Sequence, residues 1–132
     1  NHITIRHEGL APPIGTALWD RHQQYLALLA TSIYTAYHRQ HHTKNYGDES
    51  CYESIREHAR REQAKIFDYL EVNLTPYVCG ESITAVDFYL YMLSRWDVDK
   101  ASMRSGRPNL NALLDEVRRR PSVEEALASQ PR

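Results

Sequence analysis

The chain lacks most of the features that mark specialised protein classes. It has two cysteines, Cys51 and Cys79, in 132 residues, too few for a disulfide framework and without C-x-x-C spacing. They read as reduced thiols of a cytosolic protein, with a single bridge as the alternative. No apolar run approaches the roughly 20 residues that span a bilayer, and the opening "NHITIRHEGL" has no hydrophobic centre of a secretion signal. An excess of either charge is missing too: 16 basic against 17 acidic residues leave a net charge of -1. That balance gives no long-range field to draw in nucleic acid or an anionic membrane, so neither is an expected partner and the chain should be soluble. There is almost no strand alternation, and internal repeats and low-complexity tracts are absent. What remains fits one domain, large enough to bury a core without metals or bridges.

Helical periodicity is what the sequence does have. After the Pro-rich "GLAPPIGT", Leu18, Leu26, Leu29, Ile33, Ala36 and Tyr37 fall mostly at helical spacings, predicting an apolar face over about six turns. The pattern should fray in the polar "RQHHTKNYGD" around Gly47. Ser50 and Glu53 spell a second S-x-x-E start, and Ile55, Ala59, Ile66, Leu70 and Leu74 carry one stripe to Pro76. The short connection predicts that these two long helices are antiparallel.

The third helix has the clearest start. In "ESITAVDFYL", Thr84 is the expected N-cap and Asp87 the N3 residue, each able to bond the other's backbone N–H. Ile83 and Phe88 stand at the positions of a hydrophobic staple. Apolar side chains from Val86 to Trp96 then surround the helix, as expected of a central, buried element. Beyond the polar link "DVDKASMRSGR", Pro108 opens a helix carrying Leu110, Leu113, Leu114 and Val117, and Ser122 with Glu125 marks a short last one. The expected fold class is all-α, with five helices.

Two stretches, "YVCGESITAVDFYLYMLSRW" and "RPNLNALLDEVRRRPSVEEALAS", resemble the C-terminal helical domain of cytosolic glutathione transferases, most closely the bacterial beta class. Gly80 before the Thr84 and Asp87 capping box, the buried helix, and the Pro108 helix ending near Arg120 and Pro121 carry the likeness. Upstream, "LAPP", "LLATSIYTAY" and "FDYLEVNL" resemble that domain's first two helices. The resemblance implies an orthogonal/up-down five-helix bundle over residues 15–132, preceded by a lead-in segment over residues 1–14. It also implies a thioredoxin-like N-terminal domain, which these residues do not contain. The implied reaction is attack of a glutathione thiolate on a hydrophobic electrophile. Glutathione is then a co-substrate bound mainly by the missing domain, with no other cofactor. The helical domain supplies the wall of the electrophile pocket, has no catalytic residue of its own, and alone should not turn over substrate. A cytoplasmic, homodimeric detoxification enzyme is the implied whole. A non-catalytic helical docking or ligand-binding module is the alternative.

Residue by residue, the family pattern at the end of the first long helix, A-T-E-L-H-K-G-F, is matched by "ATSIYTAY". Tyr34 replaces the His, Thr35 the Lys, and Tyr37 matches the following aromatic. Arg95 and Trp96 match the family's Arg and pocket Trp, and Tyr89 lies two turns earlier. The substrate-binding expectation is therefore Tyr34, Tyr37, Tyr89, Arg95 and Trp96. For Tyr37, Tyr89 and Trp96 a plain core role stands beside it. Thr84 and Asp87 are expected to be structural caps. His38, His41 and His42 have metal-compatible spacing but no familiar carboxylate or Cys beside them, so a solvated helix end is expected and no metal. The run Arg118 to Arg120 suits a helix C-terminus, where cations meet the macrodipole.

Overall fold

The computed structural model describes residues 9–130. Residues 1–8, which hold most of the lead-in segment and of the stretch read for a secretion signal, lie outside the described residues, as do 131–132. The described chain forms α1 (Ala17–Leu28), a π-helical turn (Leu29–Ile33), α2 (Tyr34–His41), α3 (Tyr52–Asn73), α4 (Ala85–Ser94), α5 (Lys100–Arg104), α6 (Pro108–Arg118) and α7 (Pro121–Ser129). The first three pieces are continuous and make one rod. All five expected helices are present; α5 is an additional short one inside the stretch read as a polar link, begun by Asp99, whose side chain accepts from the Ser102 N–H at 3.0 Å.

The rod's buried stripe explains its π turn. Tyr25, Leu29, Ile33 and Tyr37 are all buried and each lies four residues from the next. At 3.6 residues per turn a four-residue step overshoots by about 40°, so a strict α-helix would swing the stripe off the core. The wider π turn absorbs the excess, and Thr31 and Thr35 donate their hydroxyls to the carbonyls of Ala27 and Thr31 at 2.8 and 2.7 Å. Leu18, by contrast, is 46 % exposed and does not extend the stripe. The first helix starts one residue after Thr16, whose Oγ1 accepts from the Trp19 N–H at 3.1 Å.

The rod and α3 are antiparallel: Arg21 donates to the Asn73 carbonyl and Gln40 to the Gln63 side chain, while Arg39 pairs with Glu62. Where fraying was expected, the chain instead tightens into 3₁₀ turns at Thr43–Asn45 and Glu49–Cys51. Buried Thr43 holds the corner, donating to the carbonyls of Arg39 and Gln40 and accepting from Arg56 Nε at 3.1 Å. α3 then begins at Tyr52 without a side-chain cap, so Ser50 and Glu53 do not form the expected start; Glu53 pairs with Arg60 instead. Ser122 is likewise not a cap, because α7 already begins at Pro121.

α4 packs against α1, the π turn and α6, the central position expected of it. Val86, Leu90 and Leu93 are fully buried, and the staple residues Ile83 and Phe88 are partly buried against the same core. Burying such side chains contributes roughly 1.5 to 3 kcal/mol each. Thr84 and Asp87 form the capping box, with the Thr84 N–H donating to Asp87 Oδ2 at 2.7 Å. Asp87 Oδ1 also accepts from the Val78 N–H at 2.9 Å, tying the preceding loop to the helix start. The Ala85 N–H reaches the Leu10 carbonyl at 2.9 Å, so the lead-in is fastened to the same point. Gly80 sits at φ +91, a conformation that favours glycine, between that loop and the cap. α6 is started from a distance: the Glu71 carboxylate on α3 accepts from the N–H groups of Asn109 and Leu110 at 3.0 and 2.7 Å. Cys51 and Cys79 are both free.

Candidate functional site

The second half of the rod and the end of α4 meet at an open cleft of about 420 Å³. Its lining comes from two places. α2 presents Tyr34, Tyr37, His38 and His41, an i, i+3, i+4, i+7 stripe, with His42 at its end. Opposite stand Arg95 and Trp96, where α4 stops.

Trp96 is the keystone of this wall. Its ring meets Tyr34 edge to face at 5.4 Å between centroids and Tyr37 likewise at 6.3 Å. Its backbone carbonyl, freed by the end of α4, faces His41 Nε2 at 2.9 Å, which links the two sides of the cleft. Trp96 and Tyr34 remain 39 % and 41 % exposed, so both have ring surface left for another molecule. Tyr37 is fully buried, and its hydroxyl donates to Asp97 Oδ2 at 2.8 Å. Burial, then the Asp97 charge and hydrogen bond, raise the Tyr37 pKa far above the ordinary phenol value. The proton stays on the Tyr37 oxygen, donated to Asp97; the ring serves as floor rather than as an acid or base.

Of the five expected substrate-binding residues, the structure brings Tyr34, Tyr37, Arg95 and Trp96 together. Tyr89 does not line the cleft: it is half-buried against the core. Burial and the neighbouring Tyr34 phenol both raise its pKa. Thr35 also points elsewhere, its hydroxyl bonded to the Thr31 carbonyl. The three histidines stand at the helix end as expected, with His41 and His42 exposed, and they also line the cleft. Their spacing from Tyr34 and Tyr37 was the signal. Each has its own neighbour: His38 Nδ1 lies 2.6 Å from the Tyr46 hydroxyl, and the His42 ring is 4.6 Å from that of His38. Among the described residues no group of three or more His, Cys, Asp or Glu is arranged to hold a metal ion.

Comparison with known proteins decides the family. The family described as "Glutathione S-transferase, C-terminal domain" matches residues 31–130. The chain belongs to this family. The glutathione transferase C-terminal fold is shared with a glutathione transferase homologue from Sulfitobacter, solved with bound glutathione (TM-score 0.80, 20 % identity, covering 91 % of this chain and 66 % of that one). It is shared also with a glutathione transferase from Methylococcus capsulatus (TM-score 0.70, 25 % identity, 92 % and 58 % covered). A beta-class enzyme from Sphingomonas chungbukensis is similar as well (TM-score 0.72, 24 % identity, 91 % and 58 % covered). This chain thus spans between 58 % and 66 % of the length of these three structures. No curated protein matches it. No described helix is long and apolar enough to cross a membrane.

Proposed function

We propose that the cleft of this glutathione transferase domain is the wall of an electrophile pocket, where a hydrophobic compound is held for attack by the thiolate of glutathione. The convergence of Tyr34, Tyr37, Arg95 and Trp96 on one open cleft carries the reading. Its volume lies within the range of roughly 300 to 1,000 Å³ usual for small-molecule sites, and Tyr34, Tyr37 and Trp96 give it the aromatic surface such sites use. Thiol activation belongs in this reading to a thioredoxin-like domain outside these residues, so the helical domain positions the electrophile and shields it from water. Trp96 and Tyr34 supply stacking surface, and Tyr37 keeps Trp96 upright. Pairing of two chains through the long helices is part of the same proposal. Tyr69 and Val72, 46 % and 79 % exposed on α3, favour it as apolar surface left open on that face.

The test is steady-state kinetics on the full-length protein with glutathione and an aromatic electrophile such as 1-chloro-2,4-dinitrobenzene. Trp96→Ala should raise KM for the electrophile about tenfold, corresponding to loss of roughly 1.4 kcal/mol of stacking and burial. KM for glutathione should stay within about twofold, since Trp96 belongs in this reading to the electrophile's wall. Unchanged electrophile kinetics in both Trp96→Ala and Tyr34→Phe would refute the assignment.

A further inference from the structure

The lining of the cleft is one-sided in charge. It holds one guanidinium, Arg95, and three imidazoles, His38, His41 and His42, and it holds no carboxylate. Arg95 is exposed and makes no ion pair among the described residues. The neighbouring carboxylate, Asp97, is turned away and occupied: Oδ2 accepts from the Tyr37 hydroxyl and Oδ1 from the Asp99 N–H, each at 2.8 Å. It lines a separate cavity of about 170 Å³ on the other side, with Gln63 and Arg107. Glu62, the acidic group that faces α2 from α3, is paired with Arg39 and lines a different concavity.

The donors are also placed. His41 Nε2 faces the Trp96 carbonyl, an oxygen that only accepts, so that nitrogen carries hydrogen and the ring is locked against the aromatic wall. The His38 and His42 rings are tilted 34° to each other with centroids 4.6 Å apart, and both line the cleft from the end of α2. An acceptor in the cleft therefore meets Arg95 on one side and the imidazole cluster of α2 on the other, beside the aromatic faces.

We infer that the cleft selects planar aromatic compounds carrying a carboxylate or a comparably compact oxyanion, the ring lying on Trp96 and Tyr34 and the anion turned to Arg95 and the histidines. This rests on the reading of the cleft as a substrate site. A guanidinium suits the fork of a carboxylate, and such charge-assisted hydrogen bonds are about twice as strong as neutral ones.

The test is isothermal titration of the full chain with 2-naphthoate and 2-naphthamide, close in shape and different in charge. The carboxylate should bind about tenfold tighter. Arg95→Gln should abolish that difference, while Trp96→Ala should weaken both ligands. Equal affinity for the two would overturn the anion selectivity and leave the cleft as an electrophile site. Failure of both to bind would remove the electrophile site and the selectivity together. A preference for naphthoate that survives Arg95→Gln would overturn the assignment of the anion to Arg95.

Discussion

The starts of α3 and α4 are spelled alike and built differently. Ser50-x-x-Glu53 and Thr84-x-x-Asp87 both have the hydroxyl and the carboxylate of a capping box, yet only the second forms one. At α3 the start is exposed, and the 3₁₀ turn before it already pairs the Cys51 and Tyr52 N–H groups with the carbonyls of Asp48 and Glu49, while the Ser50 hydroxyl lies 3.8 Å from the Cys51 thiol. At α4 the donors are buried: Thr84 is 3 % and Asp87 0 % exposed, and an N–H left unpaired there bears its full desolvation penalty. A capping motif holds a helix where burial makes the alternative costly.

The comparison breaks if substitution at the two starts has similar effects. Asp87→Ala removes the acceptor of both the Thr84 and Val78 N–H groups and should destabilise the domain by about 2 to 4 kcal/mol, read from urea unfolding. Glu71→Ala, which deprives α6 of its distant cap, should cost about 1 to 2 kcal/mol. Ser50→Ala should lie within about 0.5 kcal/mol of the parent chain. Equal losses for Asp87→Ala and Ser50→Ala would contradict the role given to burial.

A smaller effect sharpens the same contrast through pH. Burial pushes the Asp87 carboxyl above its ordinary value of 3.8, against the pull of its bonds from Val78 and Thr84. A carboxyl raised in the folded state contributes most below its unfolded pKa and loses that contribution as pH rises through the folded one. The stability of the parent chain relative to Asp87→Asn should therefore grow as pH is lowered from 7 toward 4. A difference that shrinks over that interval would mean that the hydrogen bonds outweigh desolvation.

The α4 start, the Pro108 helix and the aromatic lining were legible because each is specified locally, by a cap, a proline or a period. The cap of α6 was not, since Glu71 lies far from Asn109 and Leu110 in sequence and only folding brings it there. The histidines were legible as an exposed helix end but not as cleft lining. His38 and His41 continue the Tyr34 and Tyr37 stripe, and only folding sets Arg95 and Trp96 across from them. For Tyr89 the core role stands beside the pocket role, and it packs half-buried against the core outside the cleft.

The central claim, that the Trp96 cleft is where this domain receives a small aromatic molecule, is tested most directly by NMR titration of the chain with 2-naphthamide. Shifts should concentrate at Tyr34, His38, His41, Arg95 and the Trp96 indole N–H. Shifts confined to the apolar concavity of Tyr25, Leu28, Ile66 and Tyr69 on the rod and α3 would contradict it.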